Sequence, residues 1–161
     1  MIQIILDYKP FPKQSFRFTK DGKRYQPKGK KQNDLMYLIK DQYKGDKLTG
    51  PIGIFIQFHY AYKASEKKYN IGRLIFKDTT PDGPDNLTKA VLDAIKTIVM
   101  HDDGQIAFWG GYKAWTGEDK IIITVLTNWK EYCIFVRDLN EYRKKKNYSI
   151  DGLTLTGYSI D

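Results

Sequence analysis

Three or four carboxylates and one lysine gather in Asp82-Gly83-Pro84-Asp85-Asn86-Leu87-Thr88-Lys89, followed after a helical run by Asp102-Asp103-Gly104-Gln105. Carboxylate oxygens suit hard divalent cations, Mg²⁺ or Mn²⁺ rather than zinc. The chain around them is strongly basic, with 27 Lys/Arg against 19 Asp/Glu and a formal net charge of +8. A basic surface attracts a polyanion. Acids for a cation and a surface for a polyanion together point to metal-dependent cutting of nucleic acid.

Composition narrows the alternatives. At 161 residues, with 41% hydrophobic and 14% aromatic residues, the chain is long and apolar enough to bury one core without staples. Its single cysteine, Cys133, excludes an internal disulfide and a Cys-based zinc site, and two histidines, His59 and His101, do not make a His-rich one. Oxygen ligands remain. No apolar run approaches the roughly 20 residues that span a bilayer, and Met1–Asp7 is too short and too poor in charge for a signal peptide. The expected location is the cytoplasm.

The charge is not spread evenly. Residues 8–31 hold nine Lys/Arg (Lys9, Lys13, Arg17, Lys20, Lys23, Arg24, Lys28, Lys30, Lys31) against the single acid Asp21, which equals the whole net charge. Tyr8, Phe11, Phe16, Phe18 and Tyr25 are set among them. An aromatic-studded basic segment reads as a phosphate-binding element. The plainer alternative is a solvated basic loop.

These residues need elements to position them. Residues 2–6 read as a strand, and 16–19 and 23–25 as short strands around an Asp21-Gly22 turn. Leu35, Ile39 and Tyr43 recur at helical spacing over 32–43. In 52–60 the even positions Ile52, Ile54, Ile56, Phe58 and Tyr60 are apolar, which predicts a half-buried strand with His59 on its other face as a structural or exposed residue. Residues 61–80 read as a loop or a further short strand. Strands follow at 105–115 and 120–126, then a helix over 129–146 and a polar tail over 147–161. The expected fold is α/β in the α+β sense, a single domain with a mixed sheet packed against helices, spanning 1–146.

Asp85 and Asn86 suit an N-cap, and Pro84 signals a helix start. Leu87, Val91, Ala94, Ile95 and Ile98 then share one face, with Asp85, Lys89, Asp93 and Lys96 on the other. Asp85 and Lys89 are neighbours at i,i+4, the spacing of an ordinary surface ion pair as well as of a site. A helix reaching Val99 would be about 21 Å long and would leave Asp102-Asp103 at its far end. A helix ending near Lys96 would let the next seven residues reach back roughly 23 Å, bringing Asp103 beside Asp85. In a third arrangement a symmetry mate supplies the missing acid. Spacing leaves all three open.

Asp85-Asn86-Leu87-x-Lys89-Ala90-Val91-Leu92-Asp93-Ala94-Ile95, then Asp102-Asp103-x-Gln105-Ile106, resembles the signature of RusA-type Holliday junction resolvases, common in phages and prophages. Pro10-x-Pro12-Lys13-Gln14-Ser15-Phe16-Arg17-Phe18-Thr19, with Gly22 and Tyr25-x-Pro27, is similar to that family's opening segment, although Ser15-Phe16 stand where Arg-Pro is commoner. The resemblance spans about residues 2–127. It implies a homodimeric, Mg²⁺-dependent endonuclease (Mn²⁺ substituting) that cuts branched DNA, four-way junctions above all, inside a bacterial host. It places the family's metal-binding acids at Asp85 and Asp103, with Asp102 beside the latter, and its lysine at Lys89. The family pattern has Asp-x-Asp-Asn, whereas here Gly83-Pro84 separate Asp82 from Asp85. Gly83 stands at the usual offset, and Asp82 is expected to loop in as the first acid. Catalysis then falls to Asp82, Asp85, Lys89 and Asp103. Lys13, Arg17, Lys20, Lys23, Arg24 and Lys28 would hold DNA phosphates, with Phe16, Phe18 or Tyr25 as wedges at the branch point.

Two other readings compete. In a nucleic-acid-binding protein without catalysis, the shifted Asp82 has broken the metal site. A protein-interaction domain would bind DNA weakly and without salt dependence. Cys133 reads as a packed small residue and His101 as an exposed loop residue.

Overall fold

Alternation of apolar residues builds the sheet. A computed structural model describes residues 1–13, 17–25, 29–65 and 72–145. Strands β1 (Ile2–Leu6), β4 (Ile52–Tyr60), β5 (Ile75–Phe76), β6 (Ile106–Trp115) and β7 (Lys120–Leu126) form a five-stranded mixed sheet in the order β1-β7-β4-β6-β5. A separate two-stranded ribbon pairs β2 (Arg17–Phe18) with β3 (Arg24–Tyr25). Helices α1 (Lys30–Gln42) and α2 (Thr88–Ile95) complete this part, with α1 in contact with both β1 and α2.

Register explains the core. Leu6, Ile121 and Phe58 stand in one row across β1, β7 and β4, and Ile4, Ile123 and Ile56 in the next. All six are buried, with the even positions of β4 facing inward as expected. Leu35 and Ile39 of α1 and Ala90, Val91, Ala94 and Ile95 of α2 join them in one cluster. The first row continues onto β6 as Lys113, not as another aliphatic residue.

Strand β4 runs parallel to β6 and antiparallel to β7. A parallel pair cannot be closed by a tight turn and needs a long crossover. Here the crossover carries β5, the Asp82–Asp85 segment, α2 and the Asp102-Asp103 turn. The site-bearing residues thus lie on one connection between adjacent strands.

Among the described residues of the 61–80 segment the one strand is β5, whose two residues are both exposed and pair antiparallel with Trp115 and Ala114. The carboxylate helix is capped three residues before the expected Asp85: its opening turn is Gly83–Leu87 and its N-cap is Asp82, so Asp85 lies inside the first turn. Pro84 occupies the start, where its missing N–H is not needed.

Contacts divide the chain into Met1–Asn128, which holds the sheet, α1 and α2, and Trp129–Asp161, which contains helix α3 (Trp129–Lys145). Within the second unit Trp129 and Tyr132 stack at 4.7 Å. The expected tail, 147–161, lies outside the described residues. Among the described residues no helix is long and apolar enough to cross a membrane.

Candidate active site

The N-terminal acids sit on an unusual turn. Gly83–Leu87 is a π turn, in which the Leu87 N–H donates to the Asp82 carbonyl at 3.0 Å and the Thr88 N–H reaches the Gly83 carbonyl. The Thr88 hydroxyl donates to the same Gly83 oxygen at 2.7 Å. A π turn holds one residue more than an α turn. That accommodates Gly83-Pro84, two residues where the resembled pattern has one, and keeps Leu87 and Thr88 buried. Asp82 is extended at φ −67° and ψ 129°, and its side chain makes no capping hydrogen bond. Asp82, Asp85 and Lys89 are all exposed. Burial of Leu87, Ala90, Val91 and Ala94 forces Asp85 and Lys89 outward.

The second acid pair is fixed by its own turn. Asp102 caps a short 3₁₀ turn, Asp103–Gln105, accepting from the Gly104 N–H at 2.9 Å. Gln105 closes the capping box: its Oε1 accepts from the N–H groups of His101 (2.7 Å) and Asp102 (3.1 Å). Its Nε2 donates to the carbonyls of Leu48 (2.9 Å) and Gly50 (3.0 Å). All four contacts are to main chain, so they also fix which end of the amide is nitrogen. The acid turn is thereby tied to the segment that enters β4.

Lys96 faces this turn. Its ammonium lies 2.9 Å from Asp103 Oδ1 and 3.1 Å from Asp102 Oδ2. The hydrogen bond from Gly104, followed by Lys96, holds the Asp102 carboxyl below the usual carboxylate range, while hydrogen bonds to Asp103 and Asp102 push the Lys96 pKa up. Helical spacing alone makes Lys96 a surface charge, because its partners lie beyond the helix.

Within one chain these contacts separate the two acid pairs. Asp85 and Lys96 are eleven residues apart, a rise of about 16 Å along a helix. Asp102 and Asp103 sit with Lys96 at the C-terminal end of α2; Asp82 and Asp85 lie at its N-terminal end. Asp103 does not reach back. Among the described residues no three Asp, Glu, His or Cys side chains converge as a metal-binding group. The oxygen donors suit Mg²⁺ in kind, but one chain presents them in two halves.

The basic segment is fastened to the same helix. The Lys13 N–H donates to the Asn86 carbonyl at 3.0 Å, and the Lys13 ammonium pairs with Asp93. Lys13 is therefore engaged as an anchor, and Asp93 is its partner rather than a bare surface charge. Gln32 Nε2 donates to the Ala90 carbonyl at 2.9 Å, tying α1 to α2. Beyond Lys13, the β2–β3 ribbon turns through Thr19–Lys23, with Gly22 at φ +74°, where glycine has no steric penalty. Lys20 and Lys23 are exposed at this turn, and Arg17 and Arg24 lie in the paired strands. Phe16 and Lys28 lie outside the described residues.

His59 is half-buried on the outer face of β4, its ring stacked at 6.0 Å from that of Tyr112. His101 is exposed beside the acid turn, which uses its main chain. Cys133 is a half-buried free thiol.

Residues 7–126, most of the chain, match the family described as RusA, Endodeoxyribonuclease RusA. No individual curated protein matches the chain.

Proposed function

The chain belongs to the RusA endodeoxyribonuclease family, and from that premise we propose that it is a Mg²⁺-dependent, structure-selective endonuclease resolving four-way and other branched DNA by paired phosphodiester hydrolysis. The observation that carries this reading is the double attachment of Lys13 to the helix bearing Asp85 and Lys89 and to its opening turn, which fastens the basic segment there at this one residue. A polyanion held by that segment lies against the acids.

The division of the acids along α2 supports a homodimer in which each site is shared. Asp82 and Asp85 of one subunit would join Asp103, with Asp102 next to it, of the partner subunit to hold Mg²⁺ or Mn²⁺. A two-fold interface makes two such sites at once, which suits paired nicks. When bound, such a cation supplies an activated water and neutralises charge on the scissile phosphate. Lys89, exposed one turn from Asp85, offers an ammonium to the phosphate oxygens as negative charge develops. Arg17, Lys20, Lys23, Arg24 and Lys28 hold the flanking phosphates, with Phe18, Tyr25 or Phe16 as the wedge at the branch. Junction shape, rather than base edges, selects the substrate. The setting that fits this chemistry is the bacterial cytoplasm, with a phage or prophage origin.

A synthetic four-way junction and a linear duplex of the same sequence, each with Mg²⁺ and with EDTA, test the reading. Paired, Mg²⁺-dependent nicks on the junction alone are expected. Asp85→Asn and Asp103→Asn are each expected to bind the junction without cutting it. Mixing the two variants tests sharing: mixed dimers would contain one intact site and recover single nicks. No recovery in the mixture rules out a shared site. The same division of acids favours a second reading, binding without cutting, and an intact junction in the wild-type reaction would establish it.

A further inference from the structure

The Asp82 side chain makes no capping hydrogen bond, yet the three residues before it are clamped. Lys77 Nζ donates to the carbonyls of Thr79 (3.2 Å) and Thr80 (2.6 Å) and to the Thr79 hydroxyl. Lys113 Nζ donates to the carbonyls of Thr79 (2.6 Å) and Pro81 (2.9 Å). Two ammonium groups thus take every carbonyl from Thr79 to Pro81. On the other side of Asp82, a Cβ at Gly83 would lie 3.9 Å from Lys113 Cδ, so the Lys113 stem runs beneath the residue that follows the acid. Lys113 brackets Asp82 from both sides.

The arrangement is costly in isolation. Lys77 is only 7% exposed, and its ammonium lies 4.7 Å from the Trp115 ring and 5.3 Å from the Tyr60 ring. Burial, and then the Lys113 charge, push the Lys77 pKa down. A buried cation is retained only where its donors are satisfied. Here those donors are directed onto one exposed acid-bearing loop. Lys113 stands on the core face of β6, in the row of Leu6, Ile121 and Phe58, so the clamp is built on the sheet.

We propose that Lys77 and Lys113 are positioning residues that hold the Thr79–Pro81 main chain and thereby place Asp82 for metal binding. The metal-binding half of this rests on the nuclease reading above; the clamp itself does not. Neither ammonium is assigned to DNA, since both are committed to carbonyls.

Hydrogen exchange and metal titration on Lys113→Met, with Lys113→Arg as the charge-conserving variant, test it in the full-length protein. In metal-free protein, Lys113→Met is expected to speed exchange of the Leu87 and Thr88 amides, which bond to Asp82 and Gly83, by about tenfold, with Lys113→Arg restoring most of the protection. Unchanged exchange overturns the clamp. In junction cleavage, Lys113→Met is expected to raise the half-saturating Mn²⁺ concentration severalfold, with junction affinity and its salt dependence in EDTA unchanged. Weaker junction binding with a shallower salt slope and normal Mn²⁺ dependence would make Lys113 a phosphate contact and overturn the proposal. If wild type shows no metal response at all, the nuclease reading fails, and exchange still decides the clamp. Should Lys113→Met not fold, Lys113→Gln, which keeps a single donor group, carries the same two measurements.

Discussion

Gln105 offers the sharpest test of how the Asp102-Asp103 turn is built. Its half-buried amide spends both ends on main chain, accepting from His101 and Asp102 and donating to Leu48 and Gly50. Gln105→Leu keeps the volume and removes all four hydrogen bonds. Each contributes about 0.5–1.5 kcal/mol net, and water can replace the partners on the exposed side, so the low end applies. The expected loss is about 2–3 kcal/mol. At about 2–4 °C per kcal/mol for a chain of this size, the melting temperature should fall by about 5–10 °C. Gln105→Glu discriminates the cause. It keeps an acceptor for His101 and Asp102 but turns a carboxylate oxygen toward the Leu48 and Gly50 carbonyls, beside two further acids. It should be destabilised at least as much as Gln105→Leu, although it is closer in shape and polarity to glutamine. Thermal melts followed by circular dichroism read both variants. A Gln105→Glu melt within about 2 °C of wild type would refute the assigned amide orientation and the anchoring role with it.

Gly111 faces Ile56 so closely that a Cβ would lie 2.1 Å from the Ile56 carbonyl oxygen. Gly111→Ala should therefore cost more than the usual 1–3 kcal/mol or so of overpacking, or prevent soluble expression; a normal melt would contradict the β4–β6 register. Gly83 has room for a side chain, its Cβ meeting only the Lys113 stem at 3.9 Å. Gly83→Asp is expected to lower the half-saturating Mn²⁺ concentration for cleavage, and an unchanged or raised value would count against a metal at this turn. Burial, followed by the Lys120 charge, pushes the His59 pKa below its ordinary value. The unfolded chain then takes up the proton first, so stability should decline as pH falls from 7 through about 6.5. His59→Gln should flatten that slope in a pH series of melts, and an unaltered slope would remove His59 as its source.

Much of the fold could be read directly from residue order. The even positions of β4 alternate so strictly that strand, buried face and the place of His59 all followed from period two. β5 carried no such signal, because Ile75 and Phe76 are two exposed residues whose pairing with β6 depends on the rest of the sheet. The acids were legible as residues but not as a constellation. Whether Asp103 lay near Asp85 depended on a segment long enough to reach either end of α2, and Lys96 decided it through partners six and seven residues on. Counting helical faces put Lys96 and Asp93 in solvent, since a helix face does not reveal what another segment brings to it. Lys77 was illegible for a different reason: lysines are rarely buried, and nothing in Phe76-Lys77-Asp78 marks this one as an exception.

The π turn at Gly83–Leu87 has a consequence for how such a chain can change over generations. A residue gained or lost ahead of Leu87 alters the pitch of one turn and nothing beyond it, because Leu87 and Thr88 are pinned in the core. Elsewhere in α2 the same event would rotate every following side chain by about 100°, turning Val91 and Ala94 to water and Lys89 inward. The opening turn is thus a slack joint where length can drift while the helix keeps its phase. Positions 82–84 are where this lineage could reposition an acid without refolding the protein.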